Sequence, residues 1–576
     1  MSTNHDDGAT RPDDLLQKAI DRKRLLGSAV LGAAGISALL APTGAFAAAR
    51  RGMAPSRENQ LVRTGKTNTT FTFASSGACQ GFNPDKPATI ASSPSMTMVI
   101  ACYDSLTDVV IPNTTAAAKK AFAKGLPTAG KLAESWEVDK AGTTYRFHLR
   151  KGVKSHAGNT LTADDIKWSI DKAIKGGFVA AFLVALLNGV ADTSKQFKKI
   201  DDYTFDLILN SPPPPYFLPI FGLPWVPIFD SKTAMAKGAT DKDPYAQDWL
   251  NQNVAGFGPY KLDTFTPGQR VILTPHTGYW GGTPNLGRIV EQAVEDSSSR
   301  LQLVLSGQAD YADELTAVQL EQVDKNPKTK VTQFASTRAV FLAVPNNVAP
   351  YNTAAFRKAM AQAIPYDAII KTVFRGRAER WKTHIVPWFQ GATDEFWKYD
   401  TDTAAAKAVL SAYGKPIQLS YITGVGPAQE LAILIQKGFN DAGLKTELRA
   451  LDLATANTAK ATGTIGLWID TTDSPAVPSV LYNMQLYYTT TAFQNNLSNY
   501  KNPDIDKLAK TLSANRDPKQ QAKIIRIVQQ KLMNDMPLIP IAYTGTVAAT
   551  SKRIIGVQAH QIGLPYFQDI SFLSAT

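Results

Sequence analysis

The amino-acid sequence predicts an α/β fold with at least two domains. At 576 residues the chain is too long for one hydrophobic core. Its 44% apolar and 19% charged residues are typical of an ordinary globular protein. Strand and helix patterns mix along the chain, and residues 416–450 carry the pattern of a complete βαβ unit. Such a unit implies parallel strands joined by a right-handed connection.

The N-terminus predicts a secretory signal peptide at residues 1–47. A basic cluster at 22–24 precedes an uncharged run that reaches residue 49, and small residues at 45–47 form a cleavage-type site. The apolar core is shorter than the roughly 20 residues of a membrane-spanning helix, which favours cleavage over a permanent anchor. We therefore expect an exported, periplasmic or extracytoplasmic protein. The general and the twin-arginine export routes both stay open.

The formal net charge of +12 does not indicate a nucleic-acid-binding protein. Lysine and arginine are spread along the chain without a basic run or an interleaved aromatic motif. A solvated basic surface accounts for the isoelectric point near 9.3.

The sequence contains no motif that predicts catalysis or metal binding. Its 6 histidines are dispersed, and it lacks HExxH, GxSxG and a cysteine cluster of zinc spacing. We therefore expect no catalytic residue, no metal and no cofactor. The 2 cysteines, Cys79 and Cys102, allow either a disulfide or two buried free thiols.

The stretch 131–169 predicts a β-hairpin, a loop and a capped helix. Apolar residues recur at every second position from Tyr145 to Leu149, as in a half-buried strand, and a turn at 139–142 precedes them. Thr162 stands where it can cap the following helix, with acidic residues in the first turn. The ordered string KLAESWEVDKAGTTYRFHLRKGVKSHAG is more specific than either element.

Four later segments carry further motifs: GFGPYKL at 256–262, GYWGGTP at 278–284, LQLVLSGQAD at 301–310 and AFRKAMAQAI at 355–364. Glycines of the first two should fix backbone geometry, and Tyr279 and Trp280 should fill space. Together with 131–169, these segments resemble the signatures of the family-5 extracellular solute-binding proteins of ABC importers. That family includes oligopeptide, dipeptide and nickel receptors.

The resemblance implies a two-lobed, periplasmic binding protein-like fold with discontinuous lobes, an extra small domain and a ligand cleft between the lobes. Strands at 417–422 and from 444, with a helix at 428–442, belong to the second lobe, and PLIPIAY at 537–543 is expected to return to the first. A buried helix is expected at Phe178–Leu187. The implied segments are the signal peptide at 1–47, a linker at 48–68, the first lobe at 69–108, 231–340 and 537–576, its small domain at 109–230, and the second lobe at 341–536.

The resemblance also implies where a ligand is held. Peptide receptors of the family bind the ligand's amino terminus with an aspartate in the pattern W-x-x-D-x-x-[DE]-P. This chain has WIDTTDSP at 468–475, with Thr471 in the expected place and both acids, Asp470 and Asp473, one position nearer Trp468. A charge-assisted bond from an ammonium to either acid would contribute about 1.5–3 kcal/mol. Capping of a turn at 471–475 is the alternative role for the acids.

Five more side chains are candidates for lining the cleft, because they stand at the expected edges of the lobes. They are Phe82, Asn83, Arg375, Trp388 and Phe389.

The implied function is an exported receptor that encloses a small solute, foremost a peptide or peptide-like compound, between two closing lobes. It then delivers that solute to the permease subunits of an ABC importer in the membrane. A monomer that binds no nucleic acid is expected. Receptors for an opine, a sugar or a metal chelate, and more distantly an exported hydrolase, are the alternatives.

Overall fold

The computed structural model describes residues 70–573 except 110, 124, 177–183, 185–186, 424–425, 472–474, 492–497 and 561. The predicted signal peptide and linker therefore lie outside the described residues, as does most of the helix predicted at Phe178–Leu187. None of the described helices combines the length and the apolar character that a membrane crossing requires.

Strands occur along the whole described chain. In chain order they are β1 (Thr70–Ser75), β2 (Thr107–Val109), β3 (Thr128–Gly130), β4 (Ala133–Val138), β5 (Thr144–Leu149), β6 (Phe197–Asp201), β7 (Thr204–Ile208), β8 (Tyr260–Thr266), β9 (Arg270–Pro275), β10 (Arg288–Ala293), β11 (Tyr311–Ala312), β12 (Thr329–Phe334), β13 (Ala339–Ala343), β14 (Glu379–Arg380), β15 (Ile417–Ile422), β16 (Thr446–Leu451), β17 (Leu467–Asp470), β18 (Leu538–Tyr543), β19 (Thr546–Ser551), β20 (Ile554–Ile555) and β21 (Ser571–Phe572).

Helices alternate with these strands. In chain order they are α1 (Pro87–Ile90), α2 (Ser93–Cys102), α3 (Thr115–Phe122), α4 (Ala163–Gly176), α5 (Thr193–Gln196), α6 (Phe217–Ile220), α7 (Ser231–Gly238), α8 (Gln247–Gln252), α9 (Ser297–Ser306), α10 (Ala317–Lys325), α11 (Ala354–Ala363), α12 (Tyr366–Ala368), α13 (Thr403–Leu410), α14 (Ala428–Asp441), α15 (Leu453–Ala461), α16 (Val480–Tyr487), α17 (Pro503–Ala514) and α18 (Pro518–Asp535). A π-helical turn covers Ile369–Val373, and 3₁₀ turns cover Ser411–Tyr413 and Phe567–Asp569.

The first large sheet has the strand order β12-β19-β11-β1-β10-β9-β8. Strand β1 is parallel to both of its neighbours, so that Phe73 stands opposite Glu291 on one side and Tyr311 on the other. The rings of Phe71 and Phe567 pack 5.4 Å apart in the core of this lobe. Apolar packing on the sheet therefore unites segments from opposite ends of the described chain.

The second large sheet has the order β14-β18-β13-β17-β15-β16. Strands β15 and β16 are parallel and are connected by α14, which confirms the predicted βαβ unit. Leu431, Ile435 and Phe439 recur every four residues along α14 and are all buried in the second core. The helix ends before Gly443, whose φ of +80° suits a glycine at this position.

A third, four-stranded antiparallel sheet has the order β4-β5-β7-β6 and contains the predicted hairpin. Asp139 Oδ1 fixes the turn by accepting hydrogen bonds from the backbone N–H groups of Thr143 and Thr144, at 2.8 and 3.0 Å. The rings of Phe147 and Phe205 are both buried and stack with their centres 5.1 Å apart. The alternating apolar residues of the hairpin therefore mark the face of this sheet that is buried.

The GFGPYKL segment packs its backbone against the C-terminal end of α2. A Cβ on Gly256 would lie 2.2 Å from the carbonyl oxygen of Cys102, and a Cβ on Gly258 would lie 2.4 Å from its carbonyl carbon. No side chain fits at either position without a shift of the backbone, which explains both glycines.

Two short connections, 335–338 and 544–545, join the two large sheets and are called the hinge below. The structure corrects the expectation that the strand at 537–543 returns to the first lobe. β18 pairs with β13 and β14 of the second sheet, and the return is made by β19, which pairs with β11 and β12. Every residue of β18 is buried. An apolar strand suits the interior of either sheet, and its sequence does not choose between them.

Candidate functional site

The carboxyl ends of parallel strands from both large sheets lie at the edges that the hinge connects. In the first sheet β12 runs into the hinge, and the pairing directions make β1, β10 and β11 end at that same edge. In the second sheet β13 starts at the hinge, so the strands β15, β16 and β17 end there. Ligands of α/β proteins bind beyond the carboxyl ends of strands. The region between these edges, called the cleft below, is therefore the candidate site.

Asp470 is the last residue of β17 and stands at the cleft edge of the second sheet with its side chain fully buried. Its Oδ2 accepts a hydrogen bond from Trp468 Nε1 at 3.1 Å and lies 3.3 Å from Lys460 Nζ. Lys460 Nζ also lies 5.0 Å from the centre of the Trp468 ring. The carboxylate that the sequence assigned to a ligand ammonium is thus already paired with an ammonium from the last turn of α15.

Thr471 follows Asp470 directly and is half-buried. Asp473 and the remainder of the predicted turn, 472–474, lie outside the described residues. The structure therefore brings Trp468, Asp470 and Thr471 together at the cleft edge. Turn capping by the acids and ligand binding by Asp473 both stay predictions.

The first lobe contributes two acidic residues, Asp313 and Glu314, directly after β11. Asp313 Oδ1 accepts a hydrogen bond from the backbone N–H of Ser76 at 2.8 Å, which joins the loops after β1 and β11. Glu314 Oε1 lies 2.7 Å from Nη1 of Arg338, a residue of the hinge. These acids stand at the carboxyl end of a strand, opposite the edge that carries Asp470.

Glu314 lies where the two lobes meet. A Cβ on Gly426, in the loop after β15, would lie 3.7 Å from Glu314 Oε2. The loop after β15 in the second lobe therefore comes close to a carboxylate of the first lobe beside the hinge.

Arg300, on α9, fixes the loops that carry these acids. Its side chain is 1% exposed and donates to four backbone carbonyls. Those of Val294 and Glu295 follow β10, and those of Asp313 and Glu314 follow β11. A buried guanidinium with carbonyl acceptors on both loops holds the cleft edge of the first sheet in one geometry.

Two carboxyl groups near this edge have raised pKa values. Burial raises the pKa of Glu291 to about 7, although the hydroxyl of Ser75 donates a hydrogen bond to it, and Asp313 adds to the increase. Burial and the charge of Glu314 raise the pKa of Asp313 to about 7, against the lowering effect of Arg300. Desolvation disfavours the charged form of each acid, so both groups titrate near neutral pH.

Trp388 and Phe389 lie under the hinge and are buried. Trp388 Nε1 donates to the carbonyl of Ser336 at 3.1 Å and to the hydroxyl of Tyr543 at 2.9 Å. Its ring contacts Phe122 of the first lobe at 4.8 Å and Phe389 at 5.0 Å. The two candidates therefore support the hinge, since their side chains are packed and not turned to an open cleft wall.

Arg375 is exposed and lies at the lobe boundary. Its Nη1 is 3.6 Å from Glu321 Oε1 on α10 of the first lobe. Two residues later, Arg377 pairs with Asp324 of the same helix. These two arginines form ion pairs between the lobes beside the hinge.

Phe82 and Asn83 are fully buried in the first lobe, which corrects their assignment to the cleft surface. Phe82 packs edge-on against Phe265 at 5.1 Å. Asn83 donates to the carbonyl of Gln247 at 2.9 Å and accepts from Lys172 Nζ at 2.7 Å. The loop after β1 contacts α4 and α8, so residues 81–85 pack inside the lobe.

Asp313, Glu314, Arg338 and Lys460 are the cleft residues that sequence reasoning missed. A signal existed for the acids, because they directly follow the strand that was expected after LQLVLSGQAD, and sites often lie at strand ends. None existed for Lys460, since its partner Asp470 is brought to it by the packing of α15 on the sheet.

Cys79 and Cys102 are both free and buried, so the structure contains the thiol alternative. Within the described part of the chain, no group of three or more histidine, cysteine or acidic residues is placed to hold a metal ion.

Residues 128–495 match the model of the bacterial extracellular solute-binding proteins, family 5, middle region. Among curated proteins, the chain is 26% identical to the probable D,D-dipeptide-binding periplasmic protein DdpA of Escherichia coli K12, over 74% of this chain and 81% of that protein. It is 23% identical to the dipeptide-binding protein of the same organism, over 87% of this chain and 94% of that protein.

Solved structures show the same fold. The periplasmic binding protein DppA of Helicobacter pylori, in complex with the peptide STSA, has a TM-score of 0.76 at 21% identity and covers 90% of this chain and 100% of its own. The binding protein AgaA of A. tumefaciens R10, in complex with agropinic acid, has a TM-score of 0.72 at 21% identity and covers 88% of this chain and 99% of its own. The predicted two-lobed α/β fold is thereby confirmed.

Proposed function

Because this chain belongs to the bacterial extracellular solute-binding proteins of family 5, we propose that it is an exported receptor for a peptide or peptide-like solute. It holds the solute in the cleft and delivers it to the permease subunits of an ABC importer. The observation that carries this proposal is the meeting of strand carboxyl ends from both large sheets at one hinge.

Closure of the lobes is the expected mechanism. A solute that touches both lobes stabilises the closed form by its differential affinity for that form. Further contacts between the lobes support such closure. The hydroxyl of Tyr216, after β7, donates to Gln485 of α16, and its ring lies 5.7 Å from that of Tyr482. Arg516 of the second lobe donates to the carbonyl of Pro213.

A free ligand ammonium would have to share or displace Lys460 to reach Asp470. A fully desolvated carboxylate has several acceptor sites, so sharing is chemically feasible. Displacement would break a buried ion pair, which costs several kcal/mol when one partner is left uncompensated. The second candidate function therefore has a specific basis: the Lys460–Asp470 pair favours a solute without a free ammonium, such as an opine or an N-blocked peptide.

The remaining features complete the proposal. The signal peptide at 1–47 is cleaved, the mature protein acts as a monomer, and it returns its solute chemically unchanged. Buried and paired charges at the cleft edges suit a receptor, and the sequence carries no motif that predicts catalysis.

Calorimetry on the mature protein tests this function. A panel of dipeptides, the same dipeptides with an acetylated amino terminus, and agropinic acid should contain at least one solute that binds one-to-one. Loss of that binding in Asp470→Asn, with retention in the matched exposed control Asp441→Asn, would place the solute at the second-lobe edge of the cleft. A panel in which no solute binds, or unchanged affinity in Asp470→Asn and in Asp473→Asn, would contradict the proposed site.

A further inference from the structure

A depression of about 460 Å³ lies on the surface of the four-stranded sheet, apart from the cleft. Its lining includes Glu134, Leu149, Arg150, Lys151, Tyr203 and Trp280. All of these precede β10 in the chain, and none is in a loop at the hinge edge of either large sheet. The volume lies in the range of about 300–1,000 Å³ that small-molecule sites occupy.

The depression is assembled from two motifs that the transport function leaves unexplained. Leu149, Arg150 and Lys151 end the predicted hairpin, and Trp280 belongs to GYWGGTP. Family signatures are often retained for packing, but here their side chains also meet at one concave surface.

The wall formed by Trp280 is held rigidly. Trp280 Nε1 donates to Asp104 Oδ2 at 2.6 Å, and Asp104 is fully buried. Lys131 Nζ lies 2.9 Å from Asp104 Oδ1 and neutralises it. A buried, charge-balanced acceptor thus fixes the indole ring before any ligand arrives, which lowers the entropy cost of binding.

Arg150 is also fixed in place. Its backbone N–H donates to the carbonyl of Leu132 at 2.9 Å, and its Nε donates to the carbonyl of Lys131 at 2.7 Å. The guanidinium lies 4.4 Å from the centre of the Trp280 ring. Lys151 Nζ lies over the Tyr203 ring, 5.6 Å from its centre. Each of these two aromatic rings therefore has a cation over it.

The charge of the lining is predominantly positive, with Arg150 and Lys151 against the single acid Glu134. Leu149 is 2% exposed and supplies an apolar floor. This combination matches a ligand with a negative head for the two cations and a flat apolar body for contact with the aromatic rings.

We propose that this depression is a second binding site, which takes a small anionic solute with a flat ring, such as an aromatic carboxylate. The site acts independently of the cleft, because its lining shares no residue with the cleft edges.

Fluorine NMR on the mature full-length protein tests the proposal with three probes of one shape: 4-fluorobenzoate, 4-fluorobenzyl alcohol and 4-fluorobenzylamine. The benzoate should bind, the alcohol at least tenfold more weakly, and the amine not at all. Lys151→Glu should weaken benzoate binding at least tenfold, and Tyr203→Ser several-fold. Lys198→Glu, an exposed change on β6 of the same sheet, should leave it within twofold.

Three results would overturn the proposal. One is absence of benzoate binding at millimolar concentration, and another is equal binding of the amine. The third is unchanged benzoate affinity in Lys151→Glu, which would place the probe elsewhere on the protein. Lys151 and Lys198 are exposed and Tyr203 is half-buried, so thermal unfolding should show that the variants fold like the parent. Failure of this site would leave the peptide-binding result of the cleft untouched.

Discussion

Lys460 Nζ lies 3.3 Å from Asp470 Oδ2, so the carboxylate at the end of β17 carries its own counter-ion. The carboxylate is fully buried and the lysine side chain is 14% exposed. In such an environment, loss of one partner leaves an uncompensated charge and costs about 3–5 kcal/mol.

The Lys460→Met variant is therefore expected to be less stable by about 3 kcal/mol, and the double variant Lys460→Met/Asp470→Asn to recover most of that loss. Urea unfolding of the two single variants and the double variant measures the coupling. Additive losses in the double variant would show that the pair does not interact.

Arg377→Ala should weaken the closed form of the receptor. The variant removes an exposed ion pair with Asp324 between the lobes, and such pairs are worth about 0.2–1 kcal/mol. Stopped-flow measurement should show solute dissociation faster by up to about fivefold, with little change in thermal stability. Lys437→Ala, which removes the exposed pair with Asp441 inside one lobe, is the matched control. Equal dissociation rates in Arg377→Ala and the parent would argue against this contact as a latch.

The contribution of Glu291 to the free energy of unfolding should fall as the pH rises from about 4.5 to about 7. Burial raises the folded-state pKa of Glu291 to about 7, above its ordinary value of 4.5, so the folded protein retains a proton that the unfolded chain loses in this window. Glu291→Gln should flatten this pH dependence and gain about 3 kcal/mol above pH 7. Urea unfolding at pH 5, 6, 7 and 8 measures it, with the exposed Glu295→Gln as control. A variant as pH-dependent as the parent would contradict the assignment.

Gly258→Ala should destabilise the first lobe by about 1–3 kcal/mol or more, because its Cβ would meet the Cys102 carbonyl at 2.4 Å. Gly77→Ala is the control, since a Cβ there meets nothing within 4 Å. Thermal unfolding of both variants measures the difference, and Gly258→Ala should have the lower melting temperature. Similar melting temperatures would show that the close approach at Gly258 relaxes easily.

Local patterns predicted much of the fold. The hairpin at β4 and β5 follows from alternation, and the unit β15-α14-β16 follows from two apolar strands around an amphipathic helix. Both patterns depend only on residues that are close together in the sequence. The assignment of β18 failed because a strand that is buried on both faces carries no mark of the sheet that it joins.

The site was less predictable, because its contacts join residues far apart in the chain. Asp470 was found from a motif, but its pairing with Lys460 depends on where α15 packs. Glu314 forms an ion pair with Arg338 of the hinge and lies near Gly426 of the second lobe. Phe82 and Trp388 were candidates because they are aromatic residues near the expected lobe edges. In the structure both side chains are buried and pack against other residues.

The central claim is that the cleft holds a small solute and releases it unchanged. The most direct measurement is mass spectrometry of the solute freed from the purified mature protein, repeated after the same solute has been incubated with fresh protein. The account predicts one solute per protein molecule and an identical mass in both spectra. A solute that returns with a different mass would contradict it.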